Sequence, residues 1–449
     1  MKINVDFNNI QKKIKPMHAV GQPPFTGGFA SINFTPMHIL KDAHIPYSRL
    51  HDVGGVFGGN RYVDIPNIFR DFDADETKPE SYDFAFTDEL IKALVEYGVK
   101  PYFRLGVTIE NQCVIKAYRI HPPKDYAKWA RICEHIIRHY NEGWADGFHF
   151  DIRYWEIWNE PENRDVPHMN QMWTGTAGQY YELYDVTAKH LKKCFGDKIK
   201  VGGYAACGFY GIFSDPDKYG LDIEKRDGER YTSSKEEYRI KFFFGFLDYI
   251  KKHNSPIDFF SWHTYGTVDV VTVEADFVDM VLRDYGYENI ETHLNEWNLS
   301  HDRKRNTSSS YASANTMAMM LAMQHKNTDM LMYYDARYVS VGAYGGFYDL
   351  ATFEPSCVYY SFKAFGELYE LGNEVLCIHD KGVYALAAKD GDRKSVIVSN
   401  IEEDVKIELN LEDDFSVYII DKDNLMTKTE LNPNEFILKE NTVAVIKNF

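Results

Sequence analysis

Two glutamates stand where aromatic, β-rich segments run out. Glu160 falls in Tyr154-Trp155-Glu156-Ile157-Trp158-Asn159-Glu160-Pro161, where the strand pattern ends in Asn-Glu and Pro161 forbids a further ladder hydrogen bond. Glu296 falls in Thr292-His293-Leu294-Asn295-Glu296-Trp297-Asn298, again an acid at a strand end between polar and aromatic side chains. Two carboxyl groups about 5–5.5 Å apart can attack an acetal carbon from one side and protonate the departing oxygen from the other. Either glutamate alone could be no more than a charged residue at a strand end. Together, in matching settings, they read as the acid/base and the nucleophile of a retaining glycoside hydrolase.

Such a pair must be carried by elements that converge. From about Ile45 to Leu371, short apolar runs alternate with stretches of helical spacing, the pattern of a parallel sheet covered by crossover helices. Barrel strands are predicted at Ile45–Leu50, Lys100–Leu105, Tyr154–Trp158, Lys198–Gly202, Asp258–His263, Glu291–Glu296 and Asp329–Tyr334, with the first strand near Gly28–Phe34. Helices are predicted over Thr87–Tyr97, with Thr87 as its cap, and over Tyr126–Tyr140, Gln179–Cys194, Glu237–His253 and Tyr311–Gln324. On this count Glu160 ends the fourth strand and Glu296 the seventh, which face each other across the barrel mouth. After Gly372 the pattern changes to six short strands between Asp, Asn and Gly turns, at Gly382–Ala388, Arg393–Ser399, Val405–Leu411, Phe415–Ile420, Glu435–Lys439 and Thr442–Ile446. The expected fold is α/β: a (β/α)8 TIM barrel over residues 18–371, then a β-sandwich over 372–449 that the N-terminal segment 1–17 can join. The acidic stretch Asp71–Glu80 reads as a solvated loop. Gly54-Gly55-Val56-Phe57-Gly58-Gly59 has neither dinucleotide nor Walker spacing and reads as a flexible loop beside the pocket.

The segments around Glu160 and Glu296 resemble the acid/base and nucleophile motifs of the clan A barrel glycosidases, and most of all glycoside hydrolase family 39. Tyr47-Ser48-Arg49-Leu50-His51, Lys200-Val201-Gly202-Gly203 and Ser255–Tyr265, which ends in His263-Thr264-Tyr265, follow in the family's order. The resemblance spans about Val20 to Leu371. It implies that Asn159 holds the sugar 2-hydroxyl, and that Tyr265 and Arg49 orient Glu296 and keep it ionised. His51 and His263 become candidate sugar-hydroxyl contacts, although a histidine at a strand end is as often a hydrogen-bonded structural residue. Trp158 is the aromatic expected to raise the acid's pKa by burial. The chain departs from the pattern at strand eight, where a platform Trp is common in the clan and this chain has Met332-Tyr333-Tyr334-Asp335-Ala336-Arg337. Tyr334 is the candidate for stacking on the sugar. Asp335 and Arg337 either contact substrate or pair with each other, and Glu156 reads as a polar residue inside the barrel.

Composition narrows the alternatives. A net charge of −17 without a long Lys/Arg run argues against nucleic acid as a partner. No apolar run approaches the ~20 residues that span a bilayer, and the N-terminus lacks a secretory apolar core, so a cytoplasmic enzyme with no membrane partner is expected. The six cysteines contain no Cys-x-x-Cys pair, so neither a metal nor a disulfide framework is expected, and hydrolysis by two carboxylates needs no cofactor. The resemblance points to an exo-acting β-glycosidase on short oligosaccharides, with β-xylosidase foremost. An arabinosidase, galactosidase or α-L-iduronidase-like activity, or a carbohydrate-binding protein without turnover, are the rivals, and a homo-oligomer is allowed.

Overall fold

The computed structural model describes residues 1–27, 32–53, 63–108, 120–299, 306, 308–338, 346–349 and 351–449. The Gly54–Gly59 run and Cys113 lie outside the described residues. Eight parallel strands close into a barrel: Ala19–Gly21, Tyr47–Leu50, Lys100–Leu105, Tyr154–Ile157, Lys200–Ala206, Phe259–Tyr265, Glu291–Asn298 and Met330–Tyr333. The first of these corrects the expectation of a strand near Gly28–Phe34. Within that stretch the described Ile32–Asn33 pairs only with Thr26–Gly27, in a two-residue antiparallel ladder. Ala19–Gly21 closes the ring instead, with Ala19 opposite Met332 and Val20 opposite Ser48.

Helices cover the outside and side chains fill the inside, so strands such as Phe259–Tyr265 are buried along their whole length. The barrel floor is aromatic: Tyr102 and Tyr154 stack at 5.3 Å, with Phe259 and His293 beside them. Side-chain direction repeats every two residues, so positions two further on form the next layer. That layer is polar, holding Arg49, Arg104, Glu156, Ser261 and Asn295, all buried. Within it Glu156 accepts from Arg49 Nε at 2.8 Å, Ser261 Oγ at 2.6 Å and Asn295 Nδ2, while Arg104 donates to Asp64 at 2.7 Å. Glu156 is thus the polar interior residue that its position suggested.

The crossover helices start and stop where their caps require. Asp125 accepts from Lys128 N at 2.9 Å to open Tyr126–Glu142, and Thr176 and Gln179 form a reciprocal capping box at the start of Ala177–Phe195. The helix expected to begin with Thr87 as its cap runs over Ala85–Glu96 instead. Phe84 stacks on His139 at 3.7 Å and fixes the chain two residues earlier, which leaves Thr87 buried in the first turn.

The second sheet has nine strands, in the order Leu425–Thr429, Ser416–Ile420, Thr442–Lys447, Arg393–Asn400, Tyr384–Asp390, Asn373–His379, Lys2–Lys13, Val405–Leu409, Glu435–Leu438. It folds over itself: Ile3, Val5, Val398, Ile407, Val417, Leu438 and Ala444, from strands far apart in that order, share one core. The alternate residues Leu386, Ala388, Ile397, Val443 and Val445 face the other way and join the barrel core. Both faces of the central strands are therefore apolar, and the sandwich buries one of them against the barrel helices Ser310–Met323 and Cys357–Leu371. At this seam Ser399 Oγ donates to Ala314 O at 2.7 Å. Among the described residues no helix is long and apolar enough to cross a membrane, and the five described cysteines are free thiols.

Candidate active site

Beyond Ile157 the chain leaves the fourth strand through two left-handed residues, Trp158 at φ 77° and Glu160 at φ 44°. Such a backbone costs a bulky residue about 1–2 kcal/mol, so the surroundings must impose it. Trp158 N donates to Leu105 O at 2.7 Å, its indole donates to Met172 O at 2.9 Å, and its ring packs on Trp129 and Trp173. Glu160 N donates to Ala205 O on the next strand. The turn therefore aims the Glu160 side chain into the mouth. On the seventh strand Leu294 faces Trp262 while Glu296 faces His263, so one extra residue is accommodated at Asn295. This irregularity lets both Asn295 and Glu296 turn inward, Asn295 to Glu156 and Glu296 to the cavity.

The two carboxylates meet across His263. Oxygens of Glu160 and Glu296 and the His263 ring nitrogen all lie within 4.8 Å of one another. His263 Nδ1–H donates to Glu160 Oε1 at 2.8 Å and stands 3.6 Å from Glu296 Oε2. Asn163 Nδ2 donates to the other Glu160 oxygen at 2.7 Å. Glu296 accepts from the Tyr265 hydroxyl on one oxygen and from Arg49 Nη1 at 3.2 Å on the other. The same guanidinium donates to Asn159 Oδ1 at 2.5 Å, which fixes the acceptor end of that amide.

Burial opposes ionisation of both acids. At Glu160 the hydrogen bonds from His263 and Asn163, with the positive charge of Arg239, outweigh burial and hold the carboxyl at about 2. At Glu296 burial and the neighbouring Glu160 charge outweigh Arg49 and Tyr265 and push the carboxyl up. Proton release therefore belongs to the pair, and between its two steps the site carries one proton and one negative charge.

The cavity holds about 730 Å³ and is lined by His51, Asn159, Glu160, Tyr265, Glu296 and Tyr334 among others. Arg49 and His263 are not at its wall. His263 is fully buried, which removes it from the expected sugar contacts and places it between the carboxylates instead. His51 reaches Asp52 with Nε2 at 3.2 Å, while burial and the nearby Arg104 and Arg49 charges keep the ring neutral. Tyr334 donates to Asp52 Oδ2 at 2.7 Å and presents its edge to Tyr265. Asp335 and Arg337 pair with each other, with Arg337 Nε at 2.9 Å. Trp158 is wholly buried in its own aromatic cluster, and the Glu160 carboxyl is lowered, not raised as expected of burial against that ring, because its hydrogen bonds outweigh burial.

Several lining residues were not expected from the sequence. Asn163 sits three residues beyond Glu160, where its amide could have been suspected. Arg239 comes from helix Ser234–His253 and is paired with Glu236 at 3.0 Å, and Arg230 donates to the Tyr265 carbonyl. Long connections after the fifth strand bring these side chains in, and nothing in their spacing announces it. Glu162, just outside the cavity, is buried, accepts from Cys207 N at 2.6 Å, and is pushed up to about 8 by burial.

Residues 55–296, just over half of the chain, match the model for glycosyl hydrolases family 39. The chain is 27% identical over 195 residues to a β-xylosidase of Caldicellulosiruptor saccharolyticus and 25% identical over 223 residues to one of Geobacillus stearothermophilus. These alignments cover 42% and 46% of this chain but only 32% and 36% of the relatives, about a third of their length. Among solved structures, a glucosidase from Croceicoccus marinus superposes with a TM-score of 0.74 at 19% identity, over 99% of this chain and 98% of that one. A monomeric β-xylosidase from Caulobacter crescentus CB15 gives 0.68 at 17% identity, over 99% of both chains. At those identities the likeness speaks for the fold.

Proposed function

The chain belongs to glycosyl hydrolase family 39, and from that premise we propose that it is a retaining, exo-acting β-glycosidase whose preferred terminal sugar is β-xylose. The observation that carries this reading is the approach of the Glu160 and Glu296 carboxylates to within 4.8 Å, close enough for direct attack and too close for an intervening water. Glu296 attacks the anomeric carbon as the bond to the leaving oxygen breaks, and Glu160 gives that oxygen its proton. Water, deprotonated by Glu160, then displaces Glu296 from the sugar, and the second inversion restores the starting anomer. Asn159, fixed by Arg49, serves the 2-hydroxyl, and His51 and Tyr334 meet other hydroxyls or the ring face.

This sequence needs Glu296 ionised and Glu160 protonated. Arg49 and Tyr265 stabilise the Glu296 carboxylate.

The β-xylosidase relatives support xylose as the substrate. Arg337, one of the cations lining the cavity, is engaged by Asp335. A panel of aryl glycosides tests the proposal: the β-xyloside should have the highest kcat/KM. A higher value for an arabinoside, a galactoside or an α-L-iduronide would move the substrate, and no turnover of any of them would favour a binding protein.

A further inference from the structure

Away from the cavity, three metal-donor side chains meet between two neighbouring helices. His190 and Cys194 are four residues apart on helix Ala177–Phe195, so they share one face, and Glu134 faces them from helix Tyr126–Glu142. Their donor atoms all lie within 4.8 Å of one another, with Glu134 Oε2 at 2.6 Å and Cys194 Sγ at 3.7 Å from His190 Nε2. All three are partly accessible, so an ion can enter. We propose that Glu134, His190 and Cys194 form a structural site for a Zn2+-class ion that staples these two helices together.

The donor set is right for the ion. Zn2+ takes imidazole, thiolate and carboxylate at about 2.0–2.3 Å, which places tetrahedral donors roughly 3.3–3.7 Å apart. The His190–Cys194 separation already has that value. The His190–Glu134 separation opens by less than about 1 Å when the ion replaces their hydrogen bond. Arg138 Nε donates to Glu134 Oε1 at 2.8 Å, which holds the carboxylate in place and leaves Oε2 for the metal. The Cys194 thiol, raised by burial and by Glu134, gives its proton to solvent as it ligates, and water completes the fourth position.

The location assigns a purpose. The two helices flank strand Tyr154–Ile157, whose far end carries Glu160. Cys194 lies near the end of its helix, six residues before Lys200 opens the next strand, and so at the opposite end of the barrel from the carboxylates. An ion there secures the unit that holds Glu160 without touching the reaction.

The full-length protein, stripped of metal, is titrated with Co2+ and separately melted with and without Zn2+. One equivalent of Co2+ should produce a thiolate-to-cobalt charge-transfer band, and Zn2+ should raise Tm by a few degrees. Cys194→Ser should abolish the band and weaken Zn2+ binding at least tenfold, while kcat on an aryl glycoside is unchanged. His190→Gln gives the same reading should Cys194→Ser fold poorly. Absence of the band at one equivalent, or a Zn2+-induced rise in Tm that survives both substitutions, overturns the site.

Discussion

The His263 Nδ1–H lies 2.8 Å from Glu160 and 3.6 Å from Glu296, so a single buried ring stands within reach of both carboxylates. It donates to the one proposed as the acid/base. His263→Asn keeps a shorter donor in place of the ring and His263→Ala keeps none. Both should move the alkaline limb of the kcat/KM profile, where Glu160 loses its proton, to higher pH, the alanine more than the asparagine. The Glu160 carboxyl, held at about 2 in part by this bond, should titrate higher in both variants. A folded-state pKa below the unfolded value contributes stability that is full above the ordinary carboxylate range and is lost as pH falls toward 2. The variants should therefore lose more of their remaining stability advantage at neutral pH than at pH 3, read by Tm against pH.

Tyr265→Phe removes only the hydroxyl that donates to Glu296 and keeps the ring that packs edge-on to Tyr334. It should leave Tm within a few degrees of the parent and lower kcat by about 10–100-fold, the worth of a charge-assisted bond of ~1.5–3 kcal/mol. Stopped-flow measurement of the glycosylation step locates the effect; a loss confined to KM would contradict a role on the nucleophile.

Glu162 and Glu274 are wholly buried and both are pushed up to about 8 by burial. A carboxyl whose folded pKa is raised keeps its proton in the folded state where the unfolded chain has released it. Stability therefore falls as pH rises from about 4.5 to 8, at a limit of about 1.4 kcal/mol per group per pH unit. Glu162→Gln retains an acceptor for Cys207 N and cannot ionise. Its Tm should fall less steeply than the parent's between pH 5 and 8, and an unchanged slope would show that Glu162 titrates normally.

Exhaustive chelation should leave kcat unaltered, because in the proposed mechanism attack and proton transfer both run through side-chain carboxyls. Any effect should appear in Tm alone. Loss of kcat that one divalent ion restores would count against the two-carboxylate mechanism.

The legible part of the site was the part written into single strands. Glu160, in the turn just beyond the fourth strand, and Glu296, near the end of the seventh, each lie in a run of recognisable residue types, and the barrel strands from Tyr47 to Tyr333 were found to within a few residues because buried β-rich runs alternate with amphipathic helices. Ala19–Gly21 was missed because three residues carry no period, and their strand character comes from Met332 and Ser48 on either side. Lys2–Lys13 and Leu425–Thr429 were not read as strands, since much of each is exposed, and Asn373–His379 was missed although it pairs with the neighbouring Tyr384–Asp390 as well as with the remote Lys2–Lys13. The helix start at Ala85 is set by Phe84 against His139, a contact across 55 residues. His263 was visible as a strand-end histidine, but its place between the acids depends on how far the seventh strand is displaced at Asn295. The Glu134, His190 and Cys194 cluster escapes any spacing rule because one donor comes from a different helix.

The roles of the two glutamates are separated most directly by azide, which attacks an anomeric carbon without a general base. With a β-xyloside bearing an acidic phenol, Glu160→Ala still forms the intermediate on Glu296, so azide should restore turnover and release the β-glycosyl azide. In Glu296→Ala no intermediate forms, and azide should enter from the vacated side to give the α-azide. The anomers are distinguished by NMR. A β-azide from Glu160→Ala and an α-azide from Glu296→Ala is the result predicted here, and the exchanged pair would contradict the assignment of Glu296 as nucleophile and Glu160 as acid/base.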